Sequence, residues 1–206
     1  PHITAEDSAK TAQYREESER KMLLRNMTRE EYIESLGIRV RVSVNNNSHV
    51  ARAAQLTQKT NQFNMTTRRY TEADILAYMS KGRVYVADIV DRFGVYGVTA
   101  LCIALPEKDS WRIDTFLMSC RVLGRGVEYA LLDAIVRDLG RQGVSKITAE
   151  WVLTPKNAPA RGVYEAYGFA PILASDSSAS YELCVLPFVG SNNPSASPHI
   201  IVEGLS

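Results

Sequence analysis

Ile38, Val40, Val42 and Val44 alternate with Arg39, Arg41 and Ser43, the period-two pattern of a strand with one buried face. Just before it, Thr28-Arg29-Glu30-Glu31 has the form of a capping box, which predicts a short helix stopping near Gly37. After the polar loop Asn45-Asn46-Asn47-Ser48 the period changes. Val50, Ala53, Leu56, Thr60 and Phe63 recur at intervals of three and four, predicting a helix whose amide-rich end runs from Gln55 to Asn64. Thr71, with Asp74 three residues on, opens another helix through Met79 that Lys81-Gly82 closes.

From Arg83 the period returns to two. Strands are predicted over Val84–Val90, Val98–Leu105 and Trp111–Ser119, with Arg92–Gly97 as the first turn. Val127, Ala130, Leu131, Ala134, Ile135 and Leu139 then form a broad helical stripe ending by Gly143. Lys146–Leu153 reads as a strand, Ala160–Tyr167 as a short helix, and a closing pair of strands runs through Pro187. Helices, an antiparallel meander and then strand–turn–helix–strand imply an α+β (α/β) domain. One crossover is long enough for a locally parallel strand pair. Thr4–Met27 is polar and lacks an apolar stripe, as expected of an exposed linker helix, and the tail from Gly190 has the Ser, Asn and Pro content of a flexible linker.

The 206 residues suit one domain with appendages. A net charge of +1 argues against a basic nucleic-acid surface. The longest apolar run, Val95–Leu105, is too short to span a bilayer as a helix. No signal-peptide pattern opens the chain, so a cytoplasmic location is expected. The start at Pro1 suggests a piece of something longer. Cys102, Cys120 and Cys184 are widely spaced and form neither a disulfide framework nor a zinc pattern; with three histidines, a metal site is not expected.

The turn Arg121-Val122-Leu123-Gly124-Arg125-Gly126 lies between a predicted strand and the strongest predicted helix. Glycines there let backbone N–H groups converge, and a helix N-terminus adds partial positive charge, which together make a phosphate cradle. Arg121 and Arg125 would add charge. The competing reading is an ordinary strand-to-helix turn. Asn157, Ala160, Tyr164 and Gly168-Phe169 follow in the layout of the second half of an acyl-CoA site of the N-acetyltransferase-like (GNAT) fold. In such folds splayed strands admit a pantetheine arm and a tyrosine can protonate the departing thiolate. Tyr164 could equally be a buried structural residue.

Two long motifs carry a narrower resemblance. Gln55-Leu56-Thr57-Gln58-Lys59-Thr60-Asn61-Gln62-Phe63-Asn64-Met65-Thr66-Thr67-Arg68-Arg69-Tyr70-Thr71 and Asp114–Glu128, with Pro155-Lys156-Asn157, resemble the carboxy-terminal, GNAT-like half of the FkbH-like glyceryl-loading proteins of polyketide pathways. The similarity runs from about Glu16 to Leu186. It implies a GNAT-like domain over residues 37–189, preceded by linker and N-terminal helices over 1–36 and followed by a flexible linker over 190–206. It also implies delivery of a three-carbon acyl unit to the phosphopantetheine thiol of an acyl carrier protein, with an upstream HAD-type phosphatase domain in the parent protein. Phosphopantetheine, or CoA, is the implied cofactor. No Asp-x-Asp phosphatase motif occurs in the chain, so it is not expected to dephosphorylate anything by itself.

Cys120, one residue before the cradle, is the candidate nucleophile for an acyl relay; its alternative is a small apolar residue finishing a strand. Tyr164 and Asn157 complete the candidate catalytic set. Asn61, Gln62, Asn64 and Arg68 are candidates for binding the acyl hydroxyls or a phosphate, against the alternative of a polar network fixing a helix end. An acetyl-CoA-dependent N-acetyltransferase would need Asp114 or Glu150 as base and Tyr164 as acid. A non-catalytic carrier-docking module is the third function consistent with these residues.

Overall fold

The computed structural model describes residues 19, 27–185 and 198–205. Most of the predicted linker helix and the first part of the predicted tail therefore lie outside the described residues. Helix α1 (Arg29–Leu36) begins at the expected box: Thr28 accepts from the Glu31 N–H, and the Glu31 carboxylate accepts from the Thr28 N–H at 2.7 Å. Gly37 ends it at φ 56°, a left-handed cap that glycine adopts without a Cβ penalty. Strand β1 (Arg39–Val44) follows.

Helix α2 is Val50–Lys59 and α3 is Glu72–Lys81, the latter starting at the predicted Thr71/Asp74 box. Between them Phe63–Asn64 forms a two-residue strand, β2. The helix expected to reach Asn64 thus stops five residues short of it. Asn64 donates to the Thr60 carbonyl at 3.1 Å, and the Arg69 guanidinium donates to the carbonyls of Thr57 and Thr60. These side chains satisfy carbonyls a longer helix would have used.

The meander is β3 (Arg83–Asp91), β4 (Gly94–Pro106) and β5 (Trp111–Met118). Helix α4 (Val127–Arg141) crosses back to β6 (Lys146–Val152), followed by α5 (Val163–Tyr167), β7 (Ala170–Ala174) and β8 (Ser178–Cys184). Strand β9 (Ile201–Glu203) lies in the stretch expected to be a flexible linker. It pairs parallel to β1, because Ile200, Ile201 and Val202 supply β-branched apolar residues within a polar tail. The described strands run in the order β7-β8-β6-β5-β4-β3-β1-β9, with β2 on β5 off this path. Among the described strands only β5/β6 and β1/β9 are parallel. This is the mixed, helix-flanked α+β sheet the pattern predicts.

Two apolar layers hold the sheet. On one face α2 and α3 place Val50, Ala53, Leu56 and Ile75 against Val84, Val86, Leu101, Ile103 and Leu117. On the other, α1, α4 and α5 cover Tyr85, Cys102, Phe116 and Trp151 with Leu36, Leu131, Ile135 and Tyr167. Each fully buried aliphatic side chain contributes about 1.5–3 kcal/mol. Within β4/β5, Ile103 pairs with Thr115 and Ala104 with Ile113, so Asp114 is the extra residue of a β-bulge.

Candidate functional site

Strands β5 and β6 run side by side only where Trp111–Ile113 face Ile147–Ala149. Beyond that point they part, and the segment 63–66 bridges them. Phe63 and Asn64 pair antiparallel with Met118 and Leu117. Met65 N–H donates to the Phe116 carbonyl at 3.0 Å, and Val152 N–H donates to the Met65 carbonyl at 2.8 Å. Thr66 Oγ1 donates to the Asp114 carbonyl at 3.1 Å. This strap supplies the partners that both diverging strands would otherwise lack.

Asn157 fastens it. The residue is fully buried; its amide nitrogen donates to Asn64 O (2.9 Å) and Val152 O (2.8 Å), and its oxygen accepts from Thr154 N–H (2.8 Å). Every one of these bonds goes to backbone, so Asn157 is committed to joining the loop after β6 to the strap, not to a reacting group. Asn64 is likewise buried between the Thr60 carbonyl and the Thr67 N–H. Asn61 accepts from Arg69, while Gln62 is exposed. The four candidate substrate-binding residues therefore do not form one constellation.

Arg68 spans the gap on the other side. Its guanidinium contacts the Asp114 carboxylate and reaches Glu150 at 2.9 Å. Asp114 also accepts from Arg112 (2.6 Å) and from the Tyr70 hydroxyl. Burial would raise the Asp114 pKa, but the Tyr70 and Arg112 hydrogen bonds and the Arg68 and Arg112 charges outweigh it and hold the group below the usual carboxylate range. The lowered pKa makes it a weaker base, and its oxygens are already occupied by these donors. Burial and the bond to Asp114 push the Tyr70 hydroxyl far up in turn.

Tyr164 is 2% exposed, and its hydroxyl has no hydrogen-bond partner among the described residues. Phe116, Phe169 and Tyr181 surround its ring, with centroids at 6.4, 5.1 and 5.5 Å. Burial, then neighbouring acidic groups, raise its pKa well above the ordinary value. The expected general acid is a buried core residue here.

The turn after β5 is built differently from its surroundings. Ser119 N–H donates to the Thr99 carbonyl at 2.8 Å, Cys120–Val122 makes a single 3₁₀ turn, and Val122 is buried beneath it. Gly124 and Gly126 take φ of 76° and 82°, the left-handed conformations the motif predicts, and Gly126 caps α4. Leu123 packs its side chain toward the core. Cys120, by contrast, is exposed. Arg125, expected to charge the cradle, is buried and turned away from it: it stacks over Tyr96 at 5.2 Å and meets Asp91 at 3.4 Å. The Asp91 carboxylate also accepts from Phe93 N–H, Gly94 N–H and the Tyr96 hydroxyl, at 2.9, 3.1 and 2.8 Å.

The helix start has an acid of its own. Glu128 is buried, and burial pushes its pKa up although the N–H groups of its own residue and of Gly126, and the Arg29 charge, favour its ionised form. Arg29 also donates to the Gly124 carbonyl at 3.4 Å. A phosphate in this cradle would face that carboxyl.

Next to Cys120 in the chain, Arg121 donates to the Tyr96 carbonyl (3.3 Å) and to Ser119 Oγ (3.5 Å). Arg52 of α2 donates to the Val98 carbonyl at 2.9 Å and to Gln55. From Arg52 an open groove of about 600 Å³ follows α2 past Gln55 and Gln58 to Tyr70, Thr71 and Glu72. Sequence spacing gives no sign of Arg52, of Glu128 or of the strap's position, since each depends on contacts between distant segments. Among the described residues no group of three or more His, Cys, Asp or Glu gathers to hold a metal, and no helix is long and apolar enough to cross a membrane.

No protein-family model and no curated protein matches the chain. Solved structures do. The ribosomal-protein-S18-alanine N-acetyltransferase from Escherichia coli is 16% identical with a TM-score of 0.54, over 71% of this chain and 94% of that one. Ard1 from Thermoplasma volcanium is 20% identical with a TM-score of 0.54, over 70% and 97%. An aminoglycoside acetyltransferase solved with coenzyme A is 18% identical with a TM-score of 0.50, over 72% and 96%. These likenesses establish the GNAT fold.

Proposed function

We propose that this chain is a GNAT-type acyltransferase domain in which Cys120 carries the acyl group as a thioester. The observation behind the reading is a contrast: of the three candidate catalytic side chains, Cys120 is exposed, whereas Tyr164 and Asn157 are buried and committed to the core. In the first step the Cys120 thiolate attacks the carbonyl of an acyl-pantetheine thioester. A new C–S bond forms, the C–S bond to pantetheine breaks, and the departing thiolate takes up the proton that Cys120 released. The second step repeats this exchange in reverse onto another thiol. Thiol and thioester are exchanged for thiol and thioester, so neither step needs an external energy source.

The acyl unit is taken to be a glyceryl-type three-carbon group and the acceptor the phosphopantetheine arm of an acyl carrier protein, with a HAD-type phosphatase domain upstream in the parent protein. The two long motifs around Gln55–Thr71 and Asp114–Glu128 support this narrower assignment. The deciding experiment is intact-protein mass spectrometry after mixing the chain with glyceryl-S-pantetheine, with Cys120→Ala as control. A mass gain of one glyceryl group that Cys120→Ala abolishes supports the relay. Absence of an adduct refutes it; carrier binding without turnover would then indicate a docking role.

A second reading, direct acetyl-CoA-dependent N-acetylation, draws support from the likeness to acetyltransferases, one of them solved with coenzyme A. It requires an available base, an accessible acid and an open interstrand gap. The Asp114 oxygens are occupied by Arg68, Arg112 and Tyr70, Glu150 is engaged by Arg68, and Tyr164 is covered. Amine-dependent release of CoA from acetyl-CoA would decide for it.

A further inference from the structure

We propose that Arg52 and Arg121 form a phosphate-ester subsite beside Cys120, held by side chains rather than by the backbone of the glycine turn. The inference rests on the Cys120 relay reading and adds to it the group that positions the donor. Both guanidiniums are anchored to the irregular end of β4, Arg52 to the Val98 carbonyl and Arg121 to the Tyr96 carbonyl. Those acceptors are two residues apart at the bulge where Tyr96 has no register partner on β3, and the guanidiniums are close enough for the Arg121 charge to act on Arg52. A phosphate between them would be offered N–H donors by both guanidiniums.

Each guanidinium has five N–H donors, and the acceptors described here take two from Arg52 and two from Arg121. Donors remain on both. Among the described residues no carboxylate pairs with either arginine, unlike Arg68, Arg112 and Arg125, which all meet Asp or Glu. Burial and the nearby Arg121 charge both lower the pKa of Arg52. Two cations held close with no acid between them are stabilised by an anion. The cradle at Gly124–Gly126 is the less suitable place for that anion, since Glu128 lies against its donors and Arg125 is spent on Asp91. The groove running from Arg52 along α2 gives room for the rest of the donor.

Two phosphate esters fit this chemistry: the phosphate of a pantetheine arm, and a phosphate on the acyl unit itself. Three probes separate them. Glyceryl-S-pantetheine, glyceryl-S-4′-phosphopantetheine and 3-phosphoglyceryl-S-pantetheine are each mixed with the full chain below saturation, and Cys120 acylation is timed by intact mass. We expect one phosphorylated probe to acylate about tenfold faster than the first, equivalent to about 1.4 kcal/mol. In the double variant Arg52→Gln/Arg121→Gln that ratio falls to about one, and in Arg52→Lys/Arg121→Lys part of it returns. The faster probe identifies which phosphate is bound. Equal rates for all three probes in the wild type, or a ratio that survives in the glutamine variant, overturn the proposal. Should no probe acylate Cys120, the relay fails, and the subsite is read by ³¹P NMR titration with 4′-phosphopantetheine and with 3-phosphoglycerate. Saturable binding of either that the glutamine variant loses upholds the subsite; no binding, or binding the variant retains, overturns it.

Discussion

Replacing Asn157 with alanine removes three hydrogen bonds in one step. The Asn64 and Val152 carbonyls lose a donor and the Thr154 N–H loses its acceptor, all around a side chain with no solvent exposure. A buried polar group left unpaired costs roughly 1–3 kcal/mol. Partial relaxation and water entry at the loop keep the sum below three full penalties, so about 3–5 kcal/mol is expected. For a domain of this size each kcal/mol moves Tm by about 2–4 °C, which places the variant ~6–20 °C below the wild type. The damage should be local before it is global. Amide exchange at Val152, whose N–H donates to Met65 across the strap, should accelerate more than exchange at Val86 in the meander. Thermal melts by circular dichroism and hydrogen-exchange mass spectrometry read both quantities. A variant melting within 1 °C of the wild type while losing acyl transfer would refute the scaffolding role and return Asn157 to the catalytic set.

Tyr164→Phe deletes a buried hydroxyl that has no partner among the described residues, so it should be no less stable than the wild type. It should also retain acylation of Cys120; a large loss of turnover at unchanged Tm would mean the hydroxyl participates. Asp114→Asn should lower stability by about 3 kcal/mol at pH 7, since it removes the buried charge paired with Arg68 and Arg112 and turns one of the two accepting oxygens into a donor. Because the folded pKa of Asp114 is depressed, its contribution is complete above the unfolded value of about 3.9 and is lost as pH falls through the folded one. Tm of wild type and variant should therefore converge on acidification below about pH 4. Parallel curves down to pH 2 would show that the cluster does not hold the charge.

Much of the architecture can be traced to local signals. The Thr28/Glu31 and Thr71/Asp74 boxes start α1 and α3 where they stand in the chain, and the period change after Ser119 separates β5 from α4. Where such reading fails, a distant partner decides. Phe63 sits at helical spacing from Leu56 and Thr60, yet it belongs to a strand because Met118 pairs with it. The identities of Asn157 and Tyr164 match an active-site layout, but Asn64, 93 residues from Asn157, and a ring of aromatic neighbours set their roles. Arg125 is spent on an aspartate 34 positions earlier. The β9 strand was visible only as three β-branched residues inside a tail whose overall composition argued for a linker.

The strap has a consequence for inhibitor chemistry. A coenzyme-A-like bisubstrate compound that wedges an extended amide chain between β5 and β6 would compete with a built-in peptide. To enter, it must displace the bonds from Met65 to Phe116, from Val152 to Met65 and from Asn157 to Asn64, along with the Thr66 and Arg68 contacts to Asp114. That occupant is covalently tethered at both ends, so its effective concentration far exceeds any achievable dose of a free ligand. Inhibitors of the proposed relay should instead be electrophiles that approach the exposed Cys120 from outside the β5/β6 gap.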